Sequence, residues 1–215
     1  MSKLKEVNKL HLVEKSRAEI VETVLTNIVK MLTERRLIKK ENMDKKIDDL
    51  INTQSDDLTY NITLDKYEND EDKTFAIKLI PQKITAVNKA SGISDFLNNF
   101  KNNPKIVVVD SINKKAEQFV SVNFPKTEIF TEVELMINLI DYILIPRHEV
   151  LTKEETESFY KEFNCKKRNV PKMLNTDPVA RYYNVKNGDI MRILRPSVTS
   201  GIAPAYRLVI KGDIK

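Results

Sequence analysis

The sequence predicts an α/β domain over residues 1–145, helices first and then a mixed sheet with flanking helices, followed by a small α+β domain over residues 146–215. Three observations lead there. Apolar residues keep a helical period as far as Arg36, then switch to strict alternation between Leu58 and Leu79. The run KIVVVD at 105–110 is continuously apolar, the pattern of a strand covered on both faces. Charge also divides: residues 146–215 carry 14 Lys and Arg against 8 Asp and Glu, a balance of +6, whereas residues 1–145 carry 22 against 23, a balance of −1.

The elements follow in order. From His11 to Arg36 apolar side chains recur at helical spacing (Val24 and Leu25, Ile28, Met31 and Leu32), giving a long amphipathic helix whose apolar face packs on a core. A second helix covers Asn42 to Ile51, with Met43, Ile47 and Leu50 inward. Leu58, Tyr60, Ile62 and Leu64 alternate, as do Phe75, Ile77 and Leu79, so with the polar KYENDEDK between them they predict a β-hairpin. After Pro81 comes a basic loop and a helix ending near Phe100. The buried strand at 105–110, a helix from Lys114 to Val122 and a strand at Glu128–Thr131 make a parallel crossover.

The domain boundary falls near Ile145–Pro146. Beyond it, Thr152 with Glu155 forms a capping box that opens a helix through Asn164. Asp177 followed by Pro178 starts a second helix, which Asn184 and the KNGD turn keep short. IMRILRP and AYRLVI alternate as strands, with TSGIAP turning between them. A separation of three sets Arg192 and Arg195 on opposite faces of a regular strand, but Pro196 at its end leaves the face open.

Composition narrows the function classes. Hydrophobic residues at 41% and charged residues at 31% exclude a disordered or fibrous chain. Only 4 glycines argue against a Gly-rich phosphate loop. Cys165 stands alone, which excludes an internal disulfide and a cysteine metal cluster and suits a reducing compartment. MSKLKEVNKL lacks a signal-peptide core, and LMINLIDYILI at 135–145 is too short for a bilayer and contains Asp141. These features predict a soluble intracellular protein with no membrane partner. The +6 balance suits nucleic acid or an acidic protein surface equally well.

Catalytic constellations are thin. His11 and His148 sit in no nucleophile–base frame, and one Cys with two His does not make a zinc site. Glu71-x-Lys73, beside Asp70 and Asp72, fits the tail of a nuclease metal motif. It falls at a hairpin tip, where solvated charges are ordinary. A nuclease-like enzyme built on the N-terminal domain and a free-standing DNA-binding regulator are the competing function classes. No cofactor is implied.

One stretch is specific. DPVARYYNVKNGDIMRILRPSVTSGIAPAYRLVI closely resembles the C-terminal segment of the fifth subunit of eukaryotic nuclear RNA polymerases, and the small archaeal polymerase subunit that corresponds to that segment. Its marks are the DPVARY helix, the lysine–glycine turn, the strand ending in RPS, the T-x-G turn and the final YR strand. IPRHEVLTKEE upstream resembles the family's Pro-x-His, short strand and capped helix, and Val170-Pro171 stands where the family has leucine–proline. A weaker resemblance to the eukaryotic N-terminal jaw domain runs through residues 1–145, although SINKKAEQ replaces the family's threonine–proline after the buried strand. The archaeal counterpart lacks the jaw, so the resemblance implies a eukaryote or a large virus of eukaryotes.

The resemblance implies a non-catalytic subunit of a DNA-directed RNA polymerase. Its C-terminal module would dock on the largest subunit, and its jaw would lie beside downstream duplex DNA. Other polymerase subunits and transcription factors are the further partners implied. The place would be the nucleus for a cellular protein, and the virion or a cytoplasmic virus factory for a viral one. Asp177, Pro178, Arg181, Tyr182, Arg192, Arg195, Pro196 and Arg207 are the expected interface residues. Arg147, His148, Lys114 and Lys115 are the expected DNA-proximal ones.

Overall fold

A computed structural model describes residues 15–53, 55, 57–67, 73–87 and 92–212. Helix α1 spans Arg17–Glu34 and not the longer stretch expected from His11, which lies outside the described residues. Ser16 is the reason for the start: its hydroxyl accepts from the Glu19 N–H while the Glu19 carboxylate takes the Ser16 N–H, a reciprocal capping box. The helix stops at Arg36, which sits at φ 59, where Arg36 N–H bonds Thr33 O and Leu37 N–H bonds Leu32 O. That is a Schellman end with arginine where glycine is usual. Helix α2 (Met43–Asn52) packs beside α1 through Met43, Ile47 and Leu50.

The first sheet runs in the order β1 (Thr59–Thr63), β2 (Thr74–Ile84), β3 (Lys105–Ile112), β4 (Thr127–Thr131). The β1–β2 pair is the antiparallel hairpin expected, and β2, β3 and β4 are mutually parallel. Pro81 does not end β2. The strand continues to Ile84, and its register against β3 slips between Ile80 and Lys83. Proline has no N–H for a ladder, so a bulge is where a strand tolerates it. Helices α3 (Ile93–Asn99) and α4 (Lys114–Asn123) cover one face through Ile93, Phe96, Leu97, Ala116 and Val120. Helices α1 and α2 cover the other, over Phe75, Ile77, Ile106, Val108 and Phe130.

The apolar run at 135–145 is not a single element. Helix α5 (Glu132–Leu135) and a 3-10 turn at Leu139–Asp141 occupy its first part, and the rest is an exposed turn, with Ile143 at 95% of its full accessibility. No helix among the described residues is long and apolar enough to cross a membrane.

The second sheet has the order β5 (Arg147–Val150), β7 (Ile190–Ser197), β8 (Gly201–Ile210), β6 (Lys172–Leu174). β8 starts at Gly201, so Ile202, Ala203 and Pro204, expected in the turn, are strand residues facing β7. β7 is regular throughout, which decides the open question: Arg192 and Arg195 lie on opposite faces. Helix α6 (Lys153–Glu162) covers one face, opened by the expected Thr152–Glu155 capping box. Helix α7 (Pro178–Tyr182) covers the other, with Asp177 Oδ1 accepting from the Val179 N–H at 2.9 Å. It too has a Schellman end, with Asn184 at φ 48.

Lys105 is a cation inside the first sheet, fully buried at the start of β3. Its ammonium donates to Phe100 O at 2.8 Å and Asn103 O at 3.1 Å, which ties the loop after α3 to the sheet. Burial, and then the nearby Lys126 cation, bring it from its ordinary 10.5 down to about 8. Between those values the unfolded chain holds this proton and the folded chain does not, so stability rises with pH through that window. Partly buried Tyr183, pushed up to about 12 by desolvation, works in the opposite sense above pH 10.0, because only the unfolded chain then ionises. Urea midpoints should therefore climb from about pH 8 towards pH 10 in the native chain and stay level in Lys105→Met. A flat native curve would contradict this assignment.

Candidate interface site and the joint between the halves

The residues expected at an interface divide by where the fold places them. The DPVARY stretch is turned inward. Pro178 occupies the first turn of α7, where no intrahelical N–H is needed. That fixed start aims Arg181 and Tyr182 at the first sheet. Arg181 donates to Ile129 O at 2.5 Å, pairs with the Glu134 carboxylate and stacks over the Phe130 ring at 4.9 Å. Tyr182 is 5% exposed within the core of α1 and the first sheet, and its hydroxyl donates to Asn138 Oδ1 at 2.8 Å. Burial raises the ionisation of that hydroxyl far above the ordinary tyrosine range.

Arg35 completes this joint. Its side chain is 5% exposed, and Nη1 and Nη2 each reach a Glu128 oxygen at 2.8 Å. Nε donates to Tyr182 O at 2.6 Å, and Nη2 to Arg181 O at 3.0 Å. Asn184 adds a bond from Nδ2 to Glu128 Oε1 at 2.8 Å. The end of α1, strand β4 and the C-terminus of α7 thus meet on one guanidinium. Arg35, Glu128, Asn138 and Glu134 were not legible as a site in the sequence. The strand expected at Glu128–Thr131 marks that segment, and the Thr131-x-x-Glu134 pattern at its end is a signal for a helix start alone.

The second sheet carries the remaining arginines. Arg192 bonds Glu149 through Nε at 2.9 Å and Nη2 at 2.6 Å. Arg195 and Pro196 are exposed near the outer end of β7. Arg207 donates to Lys172 O at 3.3 Å. Arg195 and Arg207 line, with His148 and Asp177, a cavity of about 440 Å³ on the α7 face. His148 Nδ1 lies 2.6 Å from Pro146 O, and burial holds the imidazole below its ordinary value.

The expected DNA-proximal set is not one cluster. Arg147 and His148 line a cavity of about 400 Å³ with Arg35, Arg36 and Lys40, where the halves meet. Lys114 and Lys115 stand exposed in the first turn of α4, across the first sheet from α1. Asp70, Glu71 and Asp72 of the nuclease-like pattern lie outside the described residues. Among the described residues no group of three or more His, Cys, Asp or Glu gathers in metal-binding geometry.

Comparison with known proteins decides the family. A family model described as "RNA polymerase Rpb5, C-terminal domain" matches residues 137–209, from the turn after α5 to the end of β8. "DNA-directed RNA polymerase subunit 5" of Acanthamoeba polyphaga mimivirus is 35% identical over 198 residues, 91% of this chain and 95% of that protein. The chain belongs to the RNA polymerase subunit 5 family. It is also 37% identical over 107 residues to "DNA-directed RNA polymerases I, II, and III subunit RPABC1" of Caenorhabditis elegans, 49% of this chain and 51% of that relative. "DNA-directed RNA polymerase subunit Rpo5" of Methanocaldococcus jannaschii is 44% identical over 75 residues, 35% of this chain but 96% of the relative. The resemblance read from DPVARY onward therefore holds, and the subunit 5 likeness extends through the N-terminal half in the viral relative.

Within this subunit 5 chain, the joint should dominate stability. Arg35→Met leaves the Glu128 carboxylate buried without its cation and should cost about 3–5 kcal/mol. Tyr182→Phe removes one buried hydrogen bond and should cost about 1–3 kcal/mol. Arg192→Ala, at a partly exposed pair, should cost about 1 kcal/mol or less. Chemical denaturation of the three variants checks the order, and equal costs for Arg35→Met and Arg192→Ala would refute it.

Proposed function

We propose that this chain serves as a non-catalytic subunit of a multisubunit DNA-directed RNA polymerase. On this reading residues 146–215 form an assembly domain that docks on the largest subunit, and residues 1–145 form a jaw-like domain beside downstream duplex DNA. The observation that carries docking is the exposed end of the β7–β8 hairpin. Val198 is fully exposed and Ile202 keeps 62% of its accessibility, beside the exposed Arg195 and Pro196 and inside the stretch matched by the family model. Exposed apolar side chains grouped with arginine mark a contact surface.

The interface residues take two roles in this proposal. Arg192, Arg195, Pro196 and Arg207 present themselves on the second sheet. Asp177, Pro178, Arg181 and Tyr182 fix the angle between the halves and so aim the jaw. Arg147, His148, Lys114 and Lys115 approach phosphate. The −1 balance of residues 1–145 fits loose, sliding contact, because non-specific affinity grows with the number of phosphates neutralised.

Affinity capture of the tagged full-length chain should bring down the largest polymerase subunit. Residues 146–215 expressed alone should do so too, with lower stability, since Tyr182 and Tyr183 lose the surface they pack on. Capture by residues 1–145 but not by 146–215 would reverse the assignment. In the assembled enzyme, Lys114→Ala with Lys115→Ala and Arg147→Ala should shorten the lifetime of the downstream DNA complex as salt rises. Each lost phosphate contact should lower the salt slope by about one. An unchanged slope would remove these residues from the DNA path.

A further inference from the structure

β8 runs from Gly201 to Ile210, but β6 accompanies only Leu208, Val209 and Ile210. Nearer Gly201, no described strand covers the outer edge of β8. A groove of about 570 Å³ opens where the chain entering β6 diverges from that edge. Val170, Pro171 and Pro204 line it as aliphatic surface, and Phe159, Phe163 and Tyr206 as aromatic surface. Phe163 is 51% exposed although its ring lies 5.0 Å from Phe159 and 5.5 Å from Tyr206. The charged side chains lining the groove are Arg195 and Arg207, with no carboxylate among the lining residues.

That charge pattern sets the groove apart. Arg35, Arg181 and Arg192 each pair with a carboxylate of this chain. Among the described residues no carboxylate pairs with Arg195 or Arg207, and Arg207 bonds only a carbonyl, Lys172 O. A volume in the range of a ligand pocket, apolar walls and two guanidiniums that form no ion pair among the described residues, although Asp177 lines the neighbouring cavity with them, define a complementary shape and charge. Pro204 takes a donor from the open edge, so side chains rather than an added strand must carry recognition. The aromatic rings tilt on one another by 40° and 59° and do not present parallel faces to bases. A polypeptide fits better than a nucleic acid.

We propose that this groove receives an extended segment of a neighbouring polymerase subunit. That segment carries one aromatic or branched aliphatic side chain for the apolar walls and at least one Asp or Glu for Arg195 and Arg207. The proposal rests on the chain's docking in a polymerase and names the chemistry of its partner there.

The chain's one cysteine, Cys165, lines the groove and reports its occupancy. N-ethylmaleimide should alkylate Cys165 readily in the free full-length chain and much more slowly in the assembled polymerase. Arg195→Glu with Arg207→Glu should weaken assembly by at least about thirtyfold, whereas Arg195→Lys with Arg207→Lys keeps most of it. Phe163→Ser should lower the thermal midpoint modestly, since its half-buried ring packs on Phe159 and Tyr206, and should weaken assembly even at temperatures where the free variant stays folded. Equal alkylation in free and assembled chain overturns the proposal, as does normal assembly of the double Glu variant. In either case co-purification of the native chain would still uphold the docked subunit, and its failure would sink that reading separately. Protection that appears on concentrating the free chain identifies a second copy. Protection that needs added single-stranded DNA or RNA identifies nucleic acid, and either result also overturns the proposal.

Discussion

Three elements from distant parts of the chain converge on the guanidinium of Arg35. It lies one residue past the end of α1, in a helix stop whose next residue, Arg36, adopts the left-handed conformation. The Schellman turn fixes where Arg35 points, and Glu128 on β4 fixes where it can stay. Its remaining donors reach the carbonyls of Arg181 and Tyr182 at the end of α7; the Arg181 carbonyl also accepts the Asn184 N–H, whereas the Tyr182 carbonyl would otherwise be an orphaned helix acceptor. A buried ion pair contributes little net stability over an apolar substitute of the same shape. What it supplies here is register, since another seating of α7 would leave the Arg35–Glu128 pair without its α7 partners and the Tyr182 carbonyl without its donor.

This joint explains the density of the DPVARY stretch. Asp177 and Pro178 hold α7 rigid at its start, Arg181 ties it to Glu134 and to a β4 carbonyl, and Tyr182 enters the core beneath α1. Two aromatics and an arginine in so short a segment look like an exposed anchor in a sequence, because tyrosine and arginine are the usual anchors of interfaces. In this fold they do form an interface, but one within the chain. The surface left for other molecules is the far end of the β7–β8 hairpin and the apolar turn before β5.

The fold was legible wherever one physical period ruled a segment. The alternation of Phe75, Ile77 and Leu79, the unbroken run of β3 and the Asp177-Pro178 helix start each led to the element observed. Legibility failed where two rules competed. Pro81 reads as a strand end until a bulge accommodates it, and Ile202 with Pro204 reads as turn until pairing across from Leu194 and Pro196 makes it strand. The apolar run at 135–145 has no period, and its side chains divide between a short helix, a 3-10 turn and solvent. The joint was least legible of all. Arg35, Glu128 and Asn138 are ordinary surface residue types, far apart in sequence, and only tertiary packing brings them to α7.

Seating one half on the other has a mechanical consequence. A flexible linker would let the two halves reorient freely, and binding at one end would say nothing about position at the other. Here the chain between α5 and β5 holds a 3-10 turn at Leu139–Asp141, and the contacts of Arg35, Arg181 and Tyr182 oppose reorientation of the halves. The first sheet is braced in turn by the fully buried Lys105, which holds the loop after α3 against β3. From the second sheet, α7 leads into β4 and the first sheet through these contacts. The residues that resemble an anchor set the angle between the halves. Arg195 and Arg207, which pair with no carboxylate among the described residues, stand on the second sheet outside this joint.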